Sequence, residues 1–284
     1  MSTQPAKTRP LAPPPARGAA SSSRPRPGAR GLARLGRTAE GVAQHVGQMA
    51  ALFWGIVTSI ARGQVAARDI VAQMYWIGIG SLPIVIITAM LAGVVTSQQG
   101  GYQFTGSIPL YVLGSVVTSS IVLELAPVMT AIVLIGRVGA RITAEFGTMQ
   151  VSEQIDAMHS LGRDPVRVLA APRVIAGVLM VPVLVGIANA VGIFSGMLAA
   201  QATVGLGPEA FFYGARLFWH SWDMFYSLMK GVAFGFAIPF IACHMGLRTR
   251  GGAEGVGKAT TASVMFMTLT VLFLDAIFPP LLLQ

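Results

Sequence analysis

Residues 137–173 read RVGARITAEFGTMQVSEQIDAMHSLGRDPVRVLAAPR and lie between two long uncharged runs. They carry five of the chain's twenty Lys and Arg residues and four of its eleven acids, so they face water or another protein rather than hydrocarbon. Val151, Ile155, Met158 and Gly162 recur at i, i+4, i+7 and i+11, while Glu153, Gln154 and Asp156 fall on the other face. That spacing predicts a short amphipathic helix. Ser152 is its candidate N-cap, with Glu153 in the first turn complementing the helix dipole. Gly162 suits its C-terminal stop. Asp164 then caps a new helix with Pro165 at its first position, and Pro172 restarts the chain once more at the mouth of the next apolar run. A short, capped, charged helix held between two membrane spans has the shape of a docking element. The alternative is a solvated loop helix with no partner.

The flanking sequence decides the fold. Apolar stretches fall near 75–96, 108–135, 174–203, 224–246 and 259–283, each reaching the roughly 20 residues that cross about 30 Å of hydrocarbon. Five crossings are therefore expected. The loop 97–107 has no Lys or Arg and the loop after the third span has only Arg216. The segment after the second span has five, and Arg248, Arg250 and Lys258 follow the fourth. The positive-inside rule then places the N-terminus and the docking segment in the cytoplasm and the C-terminus outside. An odd number of spans leaves no simple internal duplication, so a symmetric pathway needs a second copy of the chain.

Composition agrees. Of 284 residues, 54% are apolar and 11% charged, and the mean hydropathy is +0.66. These values exclude an ordinary soluble domain. The single cysteine, Cys243, excludes an internal disulfide within one chain. The net charge of +9 comes largely from the first 70 residues, which hold ten Lys or Arg against two acids. No nucleic-acid motif accompanies them, so anionic lipid headgroups are the expected counter-surface. Residues 1–37, rich in Pro, Arg, Ala and Ser, form an expected disordered tail without a signal-peptide pattern. Over 38–64, Val42, Val46, Met49, Phe53, Val57 and Ile60 repeat at helical spacing. They predict an interfacial amphipathic helix with Trp54 near the headgroups.

Several strings occur in order: Glu124-Leu125-Ala126-Pro127, Gly136-Arg137-Val138-Gly139-Ala140, Ala144-Glu145-Phe146-Gly147-Thr148-Met149, Glu153-Gln154-Ile155-Asp156-Ala157-Met158, Gly162-Arg163-Asp164-Pro165 and Pro172-Arg173. Over roughly residues 40–284 this pattern resembles the MlaE/YrbE family of ABC-transporter permeases, which work with MCE-domain lipid carriers. The resemblance implies that Val151 to Leu161 form a coupling helix seated in a partner ATPase, with Gly162, Asp164 and Pro165 closing that segment. It implies ATP and Mg on the partner and no cofactor on this chain. It also implies a lipid pathway along Glu124, Leu123, Pro127, Lys230 and Asp275. Many relatives carry Arg before the glutamate where Leu123 stands here.

Read from the residues alone, Glu124 lies well inside the second span. A carboxylate there faces a partner, a cavity or water, or else packs a helix as a protonated acid. Lys230 and Asp275 lie at similar depths in antiparallel spans, so an ion pair is one reading and snorkelling of Lys230 to the outer interface the other. Arg137, Arg141 and Glu145 recur every four residues and place Arg, Arg and Glu on one face at the inner boundary; together with Pro172 and Arg173 they are expected to support the docking helix, a substrate site being the alternative for the Arg, Arg and Glu face. Gly252 to Lys258 spells a near P-loop, but Ala259 replaces the hydroxyl residue and no strand precedes it, so nucleotide hydrolysis must be borrowed. Gly192/Gly196 and Gly231/Gly235 permit close helix approach. Ser195 and His244 lack any further motif of a hydrolase, and no metal-ligand spacing occurs.

These observations predict an all-α integral membrane protein with five transmembrane helices, an interfacial N-terminal helix and a cytoplasmic coupling helix between spans two and three. The expected role is a non-catalytic permease subunit, a homodimer in the bacterial inner membrane. It moves lipid, phospholipid by preference, between that membrane and a periplasmic MCE-domain carrier. An ATP-independent lipid carrier or scramblase is the alternative. No nucleic-acid partner is expected.

Overall fold

The computed structural model describes residues 27–104 and 109–282, the side chains of 27–42 aside. Within these residues every regular element is helical. The helices are α1 (Pro27–Ala61), α2 (Ala67–Ile77), α3 (Leu82–Gln103), α4 (Val112–Ser120), α5 (Ala126–Leu134), α6 (Ala140–Val151), α7 (Gln154–Ser160), α8 (Ala171–Val204), α9 (Pro208–Leu217), α10 (Ser221–Leu247) and α11 (Gly252–Leu282). The chain divides into two compact units, residues 1–48 and 49–284. In the first, α1 is already formed at Pro27, ahead of the expected start at Thr38, and residues 1–26 lie outside the described residues.

Among the described residues, five helical paths are long and apolar enough to cross a membrane: Ala67–Gln103, Val112–Val151, Val166–Val204, Ser221–Leu247 and Gly252–Leu282. The protein is therefore an all-α, multi-pass membrane protein. Helix is the structure such segments must take, because hydrocarbon offers no partner for a free backbone N–H or C=O. The paths outrun the spans expected from apolarity, since a run of apolar residues marks only the part in hydrocarbon. The second path has 40 residues, about 60 Å at 1.5 Å per residue and twice the roughly 30 Å core. Arg137, Arg141 and Glu145 thus ride on one continuous helix as it leaves the membrane, rather than on a separate segment.

Three of the described stretches relax to a wider winding: Ile121–Leu125, Ile135–Gly139 and Val166–Ala170. The N–H groups of Ala126, Ala140 and Ala171 bond to carbonyls five residues back, at Ile121, Ile135 and Val166. Such single-turn bulges admit one extra residue without ending the helix. The third carries the chain through Pro172. That residue does not restart a helix as expected; the helical path is already running from Val166.

The docking segment differs in register from its sequence reading. Val151 closes α6, and Ser152 is not an N-cap. Its hydroxyl donates back to the Thr148 carbonyl at 2.8 Å, the habit of a serine ending a helix. Glu153 takes the left-handed conformation with φ of 60° and stands at the N-cap position of α7. The end of α7 follows expectation. Gly162 has φ of +70°, Arg163 N–H bonds to the Met158 carbonyl at 2.9 Å and Gly162 N–H to that of His159 at 3.0 Å, a complete Schellman turn. Asp164 then accepts from Val166 N–H at 2.9 Å. Of the expected apolar face, Ile155 is buried and Met158 half-buried, whereas Val151 and Leu161 are exposed.

Two apolar clusters hold the bundle. One joins α5, α6, α8 and α10 through Leu134, Ile142, Phe146, Val174 and Ile238, and the other joins α3, α4, α8 and α9 through Val85, Leu113, Val117, Ala188 and Phe211. Helices touch where side chains vanish. A Cβ on Gly93 would strike the Gly192 carbonyl, one on Gly114 that of Phe211, and one on Gly214 that of Tyr111. The two small-residue pairs read from sequence therefore serve contacts inside one chain: Gly192 and Gly196 face α3, and Gly231 and Gly235 face α8. Ser195 belongs to the same seam, donating to the Met90 carbonyl at 3.0 Å. In α1, Leu52 and Ile56 are buried, while Phe53, Val57 and Ile60 of the predicted stripe stay exposed one step round the helix.

Candidate functional site

Glu124 lies twelve residues into the second path, about 18 Å from its start at Val112. Pro127 follows closely and has no N–H to give to the carbonyl of Leu123, four residues back. The ammonium of Lys230 takes that carbonyl at 3.0 Å. It also reaches Glu124 Oε2 at 2.8 Å and Asp275 Oδ1 at 2.8 Å. Three helical paths thus meet on one cation, whose side chain is fully buried (0% exposed) while Glu124 is 45% exposed. Snorkelling of Lys230 is ruled out by that burial. Leu123 participates through its backbone, so its side chain need not be charged to take part.

Three further residues complete the polar layer, and sequence reasoning missed them. Tyr226 is fully buried with its ring centroid 4.8 Å from Lys230 Nζ, and it meets Phe278 edge-on. Asn189, buried in the middle of α8, donates to Ser227 Oγ at 2.9 Å. Tyr226 precedes Lys230 by four residues and so shares its helix face. That spacing, and an amide in the middle of an apolar run, were the available signals.

Glu124 fronts a groove of about 710 Å³ between α3 and the path through α4 and α5. Leu91, Val95, Val116 and Met129 supply apolar wall, and Thr88, Gln99 and Ser120 supply scattered polar groups. An open, mainly apolar groove with one half-exposed carboxylate and a buried cation behind it suits an amphiphile. Chains can lie along the wall while a polar head meets the charged layer. Asp275 is 21% exposed on its side chain.

At the other end of the bundle the arginines brace neighbours of α6, and none of their contacts below reaches α7. The buried Arg173 donates to Glu145 Oε1 at 2.6 Å and to the Leu169 carbonyl at 2.8 Å, with its guanidinium 4.6 Å over the Phe146 ring. Arg141 stacks 4.5 Å from the Trp76 ring. Arg167 Nε donates to the Gln64 carbonyl at 2.8 Å, tying the bulge before α8 to the chain after α1. Among the described residues no group of three or more His, Cys, Asp and Glu is placed to hold a metal ion.

A polytopic helical bundle with a charged layer beside an apolar groove is the framework of a membrane protein that can take up an amphiphile. Comparison makes this particular. Residues 70–280 match the family model described as Permease MlaE. A probable ABC transporter permease protein of Synechocystis is 39% identical over 212 residues, 75% of this chain and 81% of its own. One from Rickettsia typhi is 34% identical over 242 residues, 85% and 93% of the two chains. The chloroplastic protein TRIGALACTOSYLDIACYLGLYCEROL 1 of Arabidopsis thaliana is 34% identical over 220 residues, 78% of this chain and 63% of its own. The chain belongs to the MlaE permease family of ABC transporters. Membership implies an ATPase partner.

Proposed function

We propose that this permease moves phospholipid between the bacterial inner membrane and an MCE-domain carrier on its outer face, driven by ATP hydrolysis on two partner ATPases. The groove beside Glu124 carries the reading: its walls fit acyl chains, and its charged layer lies at mid-membrane depth, where an amphiphile's head otherwise has no polar neighbour. The Arabidopsis relative is named after a glycolipid, which supports a lipid substrate. Two copies of the chain place two grooves together. The N-terminus and α7 face the cytoplasm, and the C-terminus faces the periplasm.

In this mechanism α7 is the coupling helix. Its Schellman end and the Asp164 cap hold it as a rigid knob, and exposed Glu153, Asp156 and Leu161 form the face offered to the ATPase. ATP binding closes the dimer and narrows the groove. The lipid leaves because its affinity differs between the two packings, with no covalent step on this chain.

The test is copurification of the tagged chain from mild detergent, with mass spectrometry of proteins and lipids. Wild type brings down an ABC ATPase, an MCE protein and phospholipid. Glu153→Lys with Asp156→Lys loses the ATPase and keeps the lipid, because these exposed side chains have no role in the bundle. An intact wild-type preparation without any ATPase overturns the coupling assignment. Retention of the ATPase by the double variant moves the docking face elsewhere.

A further inference from the structure

A second cavity, of about 180 Å³, opens between α2 and α6 on the same side of the bundle as α7, far along the second path from Glu124. Gln73, Trp76, Arg137, Arg141 and Glu145 line it, with Ile77 at its apolar side. Its charges do not cancel. Glu145 is one of the lining residues, but its charge is paired with Arg173 at 2.6 Å, so Arg137 and Arg141 leave the lining net positive. Arg137 and Arg141 make no hydrogen bond or ion pair with any described side chain. Arg141 is held in place by stacking on Trp76, and Arg137 lies against the backbone of Gly80, where a Cβ would come within 3.0 Å of its Nη2. Two exposed guanidiniums, each with five N–H donors in a fixed fork, therefore line one recess with no hydrogen-bond acceptor among the described residues.

The geometry points to a binding site for a phosphate diester, the headgroup phosphate of an anionic lipid in the leaflet on the α7 side. The cavity exceeds the roughly 30 Å³ share of a water several times over and so has room for a phosphate. Planar guanidiniums match its oxygens two at a time. Trp76 and Tyr75, both exposed at the start of the first path, are the residue types that sit at headgroup level. Such a lipid would bridge α2 to α6, and thus the first crossing to the helix that leads into α7. The site is separate from the groove and stands whether or not the transport reading does.

The probe is phosphatidylglycerol added to the full chain in an uncharged detergent, read by native mass spectrometry and by the shift in Tm. Inorganic phosphate and diacylglycerol serve as the two half-ligands. Wild type retains phosphatidylglycerol and melts higher with it; Arg137→Gln with Arg141→Gln binds it at least about tenfold more weakly, and Arg137→Lys with Arg141→Lys loses less. Arg137→Gln alone, which removes no hydrogen bond or ion pair within the described residues, shows part of the loss and secures the test if the double variant folds poorly. Equal retention by wild type and Arg137→Gln/Arg141→Gln overturns the site. Inorganic phosphate binding as tightly as the lipid overturns the lipid as its source, and diacylglycerol binding as tightly overturns the phosphate as its determinant.

Discussion

Lys230→Met in detergent is expected to cost on the order of 3–5 kcal/mol of stability, read as a large fall in Tm. The ammonium is the common partner of Glu124, Asp275 and the Leu123 carbonyl, at 2.8, 2.8 and 3.0 Å, and its side chain is fully buried. Met fills a similar volume, so the loss is electrostatic: two carboxylates remain close together in a region of low dielectric without a cation between them. Adding Glu124→Gln and Asp275→Asn removes that repulsion, and the triple variant is expected to regain most of the stability. It is not expected to regain lipid transport in reconstituted vesicles, because the charged layer behind the groove is gone. A Lys230→Met protein that melts with wild type would show that the three helical paths are held by packing alone.

The second large effect is steric. Gly177 on α8 and Gly235 on α10 face each other so closely that a Cβ on either would collide with the other's carbonyl oxygen. Gly177→Ala and Gly235→Ala must each part the two helices, at roughly 1–3 kcal/mol for overpacking a tight seam. The two costs are expected to combine non-additively, since the first separation makes room for the second methyl. Gly136→Ala is the control: a Cβ there meets nothing within 4 Å, and alanine in a helix is favoured over glycine by about 0.5–1 kcal/mol. Thermal unfolding of the two single variants, their double and the control checks this ordering, and Gly235→Ala melting as high as Gly136→Ala would refute the seam. Because α10 also carries Lys230, the displaced variants are expected to bind lipid less well than their stability alone implies.

What could be read before folding was local. A run of uncharged residues is a property of consecutive side chains, so five apolar helical paths and the charged stretch between the second and third followed from composition and charge placement alone. The stop at Gly162 and the cap at Asp164 were likewise legible, because each rests on a bond within a few residues of chain. Ser152 was misread for an instructive reason. Its hydroxyl can serve a helix beginning after it or one ending before it, and only the continuation of α6 to Val151 decides between them. The continuation itself was hidden because charge shows where a helix leaves the membrane, not where it ends.

The sequence by itself determined the class of the protein: an all-α membrane subunit with a charged segment presented on one side, in an ordered set of motifs that places it in the MlaE permease family. The tertiary structure alone decided that Lys230 holds Glu124 and Asp275 together, residues 106 and 45 positions away, with Tyr226 against it. It decided too that the glycine pairs serve seams within one chain, that a groove opens between α3 and α4, and that Arg137 and Arg141 line a recess with no acceptor for them among the described residues. The reason is the same in each case. Hydropathy and capping depend on neighbours along the chain, whereas ion pairs, cavities and close approaches depend on which helices come to lie side by side, and hydrophobicity, being non-directional, does not specify that.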